Sequence, residues 1–286
     1  MTELTIGVPV FNGERFLDGC LANLAAQTFN DFIVLIYDND STDATQAIAQ
    51  AWAAKDPRFR YVRQPFNKGA AQNFLDVLHA AETPYFMWRA DDDLSDANCI
   101  GELMAMIVRP GIKLAACRIR SVRLGSGRDR LTEVPAMGRP ASIGDTARRL
   151  FRSHQSWFYG LWHRETLIAE FGAASEAYPH LWGLDHLTLF PLLIDGSVAA
   201  TNSTTFIQRI KETRAATLPP PRPSAELMTG LRREFLKRCN GVLDARPMPF
   251  WRRRVLGLML IPYTSKRVYS LFKILKLRFR EGSVRG

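Results

Sequence analysis

Residues 32–43, Phe-Ile-Val-Leu-Ile-Tyr-Asp-Asn-Asp-Ser-Thr-Asp, pass from six apolar or aromatic side chains directly into six polar ones. An apolar run without alternation suits a strand buried on both faces, as strands inside a parallel sheet are. Upstream, Leu4, Ile6, Val8 and Val10 alternate as a strand does and lead into Phe11-Asn12. Between these segments Phe16, Leu17, Cys20, Leu21 and Leu24 recur at helical spacing. Downstream, Ser41 or Thr42 can cap a helix running through Ile48 to about Ala54. Tyr61-Val62 reads as a third strand, residues 70–81 as a helix, and Tyr85-Phe86-Met87-Trp88 as a fourth strand. This rhythm implies an α/β protein with a doubly wound, largely parallel sheet and helices on both faces.

Beyond residue 100 the pattern loosens. Gly125-Ser126-Gly127 and residues 138–140 read as loops, residues 143–152 and 186–194 as helices, and residues 198–210 as one or two strands. Leu218-Pro219-Pro220-Pro221-Arg222-Pro223 is expected to be a linker, since this proline density stops any helix. Residues 224–286 read as a helical appendage interrupted at Pro247, Pro249 and Pro262.

A chain of 286 residues, 47% hydrophobic and 23% charged, is globular and long enough to bury a substantial core. Its four cysteines, Cys20, Cys99, Cys117 and Cys239, are scattered without a CxxC pair, so a reducing compartment is expected rather than a disulfide framework or structural zinc. The first residues lack a basic start followed by an apolar run, so no signal peptide is expected. Most of the net charge of +10 sits in the tail, where residues 247–286 hold ten Lys/Arg against one acid, Glu281.

Open parallel sheets bind ligands beyond the carboxyl ends of their strands. The polar clusters fall there: Asn12 after the first strand, Asp38 to Asp43 after the second, and Asp91-Asp92-Asp93 after the fourth. Three adjacent carboxylates repel one another unless a cation or solvent compensates. Oxygen ligands without His or Cys select Mg²⁺ or Mn²⁺, which can neutralise a departing diphosphate. The alternative is an acidic helix start at Asp91–Asp96. Asp38 could accept from a nucleobase N–H or close an Asx-turn. Lys68-Gly69 could meet phosphate or form a plain turn. Phe11 could stack on a base or be buried.

In combination these segments resemble the family-2 glycosyltransferases, which have a GT-A fold. Val8-Pro9-Val10-Phe11-Asn12-Gly13-Glu14 resembles the opening motif of that family, and Asp38-Asn39-Asp40-Ser41-Thr42-Asp43 its nucleotide-binding turn, commonly DDGSTD. Asn67-Lys68-Gly69 with Asn73 resembles the element after strand three, and Asp91-Asp92-Asp93 the DXD metal motif. The resemblance covers the first hundred residues, weakens over 156–211 and stops at the linker. It implies a GT-A domain over 1–217, with a nucleotide-binding half at 1–100 and an acceptor half at 101–217. The linker at 218–223 and a basic amphipathic tail at 224–286 would follow. It also implies that Asp38 contacts the base, that Pro9, Phe11 and Glu14 line the nucleoside pocket, and that Asp91 and Asp93 bracket the ribose and metal–diphosphate group; Lys68 and Asp92 are further nucleotide-binding candidates. Asp91 and Asp93 would hold the metal. The turn departs from the family pattern at Asn39 and Asp40, and Arg89 stands where another acid is common.

The same resemblance implies an inverting sugar transfer, which needs a base for the acceptor hydroxyl. Asp185, in Trp182-Gly183-Leu184-Asp185-His186, is the candidate, with Glu176 in reserve; the alternative for Asp185 is a helix-start carboxylate serving the dipole. Arg209 and Lys211 fall where basic residues often meet the diphosphate, or else lie on a solvated strand edge. The histidines lack metal-ligand spacing such as HExxH. The donor would be a UDP-, GDP- or dTDP-linked sugar, and the acceptor a lipid-linked or other glycan.

In the tail the apolar run 255–263 is too short to span a membrane, for which ~20 residues are needed. Val268, Leu271, Phe272, Leu275 and Phe279 fall on one helical face, and Lys273, Lys276 and Arg280 on the opposite one. That suits a helix lying on the anionic inner face of the cell membrane, of a cytoplasmic and peripheral protein. A helix docked on the catalytic domain is the alternative. Two other functions compete. A nucleotidyltransferase would want a Gly-rich phosphate loop after strand one, where Phe11-Asn12-Gly13-Glu14 stands. Nucleic-acid binding would suit a pI of 9.8 but not charge set beside an apolar face, so no nucleic-acid partner is expected.

Overall fold

The computed structural model describes residues 2–135, 137, 142–178, 180–210 and 223–283. Lys211 and the proline-rich stretch through residue 222 lie outside them. The chain divides into two compact units: residues 1–138, 156–169 and 197–212 form the first, and residues 139–155, 170–196 and 213–286 the second.

The first unit holds the sheet. In chain order it contains β1 (Leu4–Val10), α1 (Leu17–Ala25), β2 (Phe32–Asp38), α2 (Thr45–Lys55), β3 (Phe59–Arg63), α3 (Ala70–His79) and β4 (Tyr85–Trp88). These follow the rhythm expected from the sequence. There follow β5 (Leu94–Ser95), α4 (Cys99–Ile107), β6 (Leu114–Arg123), β7 (Asp129–Thr132), β8 (Leu161–His163) and β9 (Val198–Ile210). Among the described residues nine strands make one sheet, ordered β3-β2-β1-β4-β8-β6-β9-β5, with β7 on β6. Pairing is parallel among β1 to β4 and between β6 and β9, and antiparallel where β8 joins the two halves.

Every residue of β1 is buried, whichever side it faces, so the sheet is covered on both faces there. Gly7 is required by that packing. A Cβ at this position would lie 2.6 Å from the Phe86 ring of β4 and 3.0 Å from Val77 of α3. Neither Ser41 nor Thr42 caps α2, which starts later, at Thr45, after Ala44. The Ser41 hydroxyl instead accepts from Asn12 N, and Glu14 Oε2 accepts from Ala44 N at the helix start.

The second unit is helical among the described residues: α5 (Ile143–Arg152), the latter part of α6 (Arg164–Ala177), α7 (Leu184–Asp195), α8 (Ala225–Asp244), α9 (Phe250–Arg267) and α10 (Leu271–Ser283). Residues 139–155 and 170–196, assigned on sequence to the sheet-bearing domain, therefore group with the C-terminal helices. The α9 residue Tyr263 is fully buried, with its ring centroid 5.6 Å from Phe190, 6.0 Å from Phe235 and 6.0 Å from Phe151. Ile274 of α10 packs on Ala225 and Met228 of α8. The tail thus builds part of this unit's core. Pro262 does not interrupt α9. It lies on the exposed side, where the carbonyl it leaves unpaired can meet water. The break falls at residues 268–270 instead.

Tyr263→Ala removes an aromatic from that core and is expected to cost about 3–5 kcal/mol. Urea unfolding followed by circular dichroism will measure the loss.

Candidate active site

Two loops at the carboxyl ends of β1 and β2 are tied together side chain to backbone. Asn12 takes a left-handed conformation, with φ 51°. Its amide donates to Ser41 Oγ at 2.9 Å, the Gly13 amide to Thr45 Oγ1 at 2.8 Å and the Glu14 amide to Asp43 Oδ2 at 3.1 Å. In return Asn12 Oδ1 accepts from Thr42 N at 2.9 Å. Pro9 is buried within β1, while the Phe11 ring is 49% exposed and turned to solvent at the strand's end.

Asp38 ends β2 fully buried. One carboxylate oxygen accepts from Ser41 N at 2.8 Å, the Asx-turn contact, and the other from the Tyr61 hydroxyl at 2.7 Å and from Arg63 Nη1 at 3.4 Å. Burial and the bond to Asp38 push the Tyr61 phenol up to about 12. Arg63 also bonds Asp40 Oδ1 and the Ser41 carbonyl. Asn39 reaches the third loop. Its Oδ1 accepts from Lys68 N and its Nδ2 donates to Asn67 Oδ1, both at 2.9 Å. The Lys68 ammonium pairs with Asp76 at 2.7 Å, and Asn73 donates to the Tyr37 carbonyl.

Asp91, Asp92 and Asp93 follow β4 in a turn, not a helix start, since α4 begins only at Cys99. Asp91 approaches the Gly13 loop, with Oδ2 3.0 Å from where a Gly13 Cβ would stand. Asp93 is buried. Burial first, and then the charge of Asp92, raises its carboxyl to about 7. Opposing this, its Oδ1 accepts from Arg209 N at 2.9 Å, and the guanidiniums of Arg89 and Arg209 stand near. Arg209 donates through Nε to the Asp92 carbonyl and lies over the Phe16 ring at 5.0 Å. Arg89 is wholly buried, donates to Ser95 Oγ and lies over Phe206 at 5.0 Å. Its Nε and Nη1 find no partner among the described residues. Nearby, burial pushes the Cys20 thiol up to about 12, and it donates to the Ala90 carbonyl.

The turn fits a divalent cation in its chemistry. Its donors are carboxylates alone, and the buried Asp93 carries a penalty for its charge that a cation would relieve. Among the described residues no three ligating side chains converge. The fit is therefore to an ion taking one or two protein oxygens and completing its shell from phosphate and water.

Asp185 belongs to the second unit, on the first turn of α7 after Gly183, whose φ is 92°. Burial raises its carboxyl to about 6; Oδ1 accepts from His186 N at 2.7 Å, and the Arg267 charge opposes the rise. The His186 imidazole is held neutral, its affinity for a proton lowered by burial and by Arg267. Arg267 donates to the carbonyls of Leu150 and Ser153 and to Ser153 Oγ. Glu176 is exposed near the end of α6. Sequence reasoning missed the linking roles of Thr45, Asn39, Tyr61 and Arg63. Only the last two lack any signal, because their partners come from a neighbouring strand.

The family model described as Glycosyl transferase family 2 matches residues 5–185. Among curated relatives, the teichoic acid poly(glycerol phosphate) polymerase of Staphylococcus epidermidis is 35% identical over 97 residues, covering 33% of this chain and 14% of the relative. The GalNAc(5)-diNAcBac-PP-undecaprenol beta-1,3-glucosyltransferase of Campylobacter jejuni is 27% identical over 105 residues, 36% of this chain and 34% of its own. The chain thus spans well under half the length of these relatives. Among solved structures, S. aureus TarS 1-349 in complex with UDP-GlcNAc superposes with TM-score 0.67 at 14% identity, covering 92% of this chain and 73% of that one. The mannosyltransferase PcManGT from Pyrobaculum calidifontis, in complex with GDP-Man and Mn²⁺, gives 0.56 at 13% identity, covering 93% and 73%. At such identities these two attest the fold.

Replacing Asp38 by Ala strands the Tyr61 hydroxyl and the Ser41 amide. It is expected to cost about 1–3 kcal/mol per buried group left unpaired, read by chemical denaturation.

Proposed function

The chain belongs to glycosyl transferase family 2, and on that premise we propose that it is an inverting transferase. It would move a sugar from a nucleoside-diphosphate sugar to a lipid-linked or cell-surface glycan, at the inner face of the cell membrane. The observation that carries this reading is the carboxylate turn Asp91–Asp93 set beside the Gly13 loop, at the carboxyl ends of parallel strands.

In this reading the half-exposed Phe11 ring offers a stacking face to the nucleobase, with Pro9 behind it. Both oxygens of Asp38 are engaged, so it serves the nucleoside through the turn it holds. Glu14 likewise acts by fixing the start of α2. Asp91 and Asp92 meet the ribose and diphosphate. Lys68 reaches phosphate only by leaving Asp76, so it responds to the donor rather than waiting for it. Arg209, held over Phe16, supplies positive charge to the diphosphate, and Lys211 is the further candidate. A Mg²⁺ or Mn²⁺ ion held by Asp91 and Asp93 would supply charge neutralisation for the leaving group. The Pyrobaculum neighbour, solved in complex with GDP-Man and Mn²⁺, supports that assignment.

Asp185 is the base. As the acceptor oxygen bonds to the anomeric carbon, its proton passes to the Asp185 carboxylate, and the diphosphate leaves with the electron pair of the broken bond. A carboxyl raised to about 6 is a stronger base than an ordinary aspartate and is still ionised at neutral pH.

Two experiments test this reading. Release of UDP or GDP from a panel of nucleotide-sugars is expected with Mg²⁺ or Mn²⁺ and to stop with EDTA; release unaffected by EDTA removes the metal. For the base, kcat should rise with pH through about 6 and level off near neutrality, because the protonated carboxyl cannot accept a proton. Asp185→Asn is expected to lower kcat about 10²–10⁴-fold and abolish that limb while donor affinity holds. Near-normal kcat in the variant would move the base to another carboxylate, Glu176 first.

A further inference from the structure

Helices α9 and α10 each bury one side and expose an apolar stripe on another. In α9, Leu256, Leu260, Tyr263 and Thr264 are buried, while Trp251, Val255, Leu258 and Ile261 are exposed. In α10, Ile274 is buried, while Phe272, Leu275 and Phe279 are exposed, the two phenylalanines at 77% and 79%. Spacings of three and four residues put each exposed set on one helical face. Large aromatics so exposed are uncommon on a surface that meets only water.

The elbow between the helices, residues 268–270, meets the loop that precedes Asp185. The Trp182 ring stacks on Tyr269, with centroids 6.1 Å apart and planes 12° apart, and its indole N–H points to the Val268 carbonyl at 3.5 Å. Arg232 fixes the elbow from α8, donating to the carbonyls of Ile261 and Tyr269 and to Ser265 Oγ. Leu181 and Trp182 are themselves 65% and 59% exposed. Exposed apolar side chains on α10 and at Leu181–Trp182 are thus linked through the half-buried Tyr269, and Trp182 lies three residues from Asp185.

The charge around these stripes selects the occupant. No acid occurs between residues 247 and 280, and the exposed cations Arg254, Lys273, Lys276 and Arg278 flank the apolar side chains. A second copy would set two such basic faces against each other, which like-charge repulsion opposes. Among the described residues no helix is long and apolar enough to cross a bilayer. Aromatics flanked by cations on helices of this length suit the headgroup boundary of an anionic membrane.

We propose that α9, α10 and the Leu181–Trp182 loop form one docking surface for an anionic lipid bilayer, which holds Asp185 at headgroup level. The acceptor hydroxyl is then one presented by the membrane itself. This deepens the transferase reading and rests on it for the role of Asp185.

The full chain should co-sediment with vesicles of phosphatidylcholine and phosphatidylglycerol, not with phosphatidylcholine alone, and high salt should weaken the binding. Phe272→Ser with Phe279→Ser should lower partitioning about tenfold or more while the thermal melt stays unchanged, since both rings are exposed. Brominated lipid should quench fluorescence in wild type, and Trp182→Phe should lose part of that quenching. Unchanged partitioning in the double variant, no binding to anionic vesicles, or a dimer that protects these aromatics overturns the proposal. Donor hydrolysis in the same preparations separates the two claims. Hydrolysis without vesicle binding sinks the docking surface and leaves the transferase. Vesicle binding without hydrolysis of any nucleotide-sugar leaves the surface and sinks the transferase.

Discussion

Three consecutive backbone amides, those of Asn12, Gly13 and Glu14, donate to side chains of the turn after β2, and the polar end of the sheet is organised by that exchange. Parallel strands end with their last amides and carbonyls unsatisfied unless loops supply partners. Here Ser41, Asp43 and Thr45 supply them, and Asn12 and Glu14 answer with their own side chains. The exchange requires a residue at φ 51° at Asn12 and another at φ 65° at Asp40, both of types that tolerate the left-handed region. It also leaves no room for a Cβ at Gly13, where Val10 and Asp91 close in. The departures from the common turn, Asn39 and Asp40, are absorbed within it. Asn39 spans to Lys68 and Asn67, and Asp40 pairs with Arg63.

On this frame the acidic turn is held under electrostatic tension. A carboxylate as buried as Asp93 is costly, and Asp92 adds to the cost. Arg89 and Arg209 repay only part of it, which is why the carboxyl remains raised. The presence of Arg89 where an acid is common then has a physical account. It sits beneath the turn, against Ser95 and Phe206, as a fixed counter-charge rather than a ligand.

Much of this was legible in the sequence, and the reason is locality. The run 32–37, the alternation 4–10 and the aromatic segment 85–88 each fill a strand, so the strands could be read from local pattern, although the alternation did not reveal that both faces of β1 are buried. The acidic clusters follow these strands immediately, so recognising the strands located the clusters. What stayed hidden depends on distant partners. Strand β8 has three residues and is a strand only because β4 and β6 flank it. Ser41 looks like a helix cap until Asn12, 29 residues away, claims its hydroxyl. Asp38 reads as an open acceptor until Tyr61 and Arg63 arrive from β3. Pro262 reads as a helix break because the sequence does not say which side of α9 meets water.

The C-terminal helices bear on a different question, whether a tail rich in charge is an attachment or a part of the fold. A solvated basic segment would contribute nothing to a core, yet Leu256, Leu260, Tyr263 and Ile274 are buried. A purely structural helix pair, in turn, has no use for exposed Phe272 and Phe279, which add nothing to folding while they remain in water. The two observations are compatible because a helix offers two faces, one fixed by packing and the other left exposed. Arg267 closes α9, bonds the end of α5 and lends its charge to Asp185, so the order of that carboxylate depends on the helices beside it. Asp185 and the basic helical surface thus belong to one packed unit, and the charged tail is part of that unit's fold rather than an attachment to it.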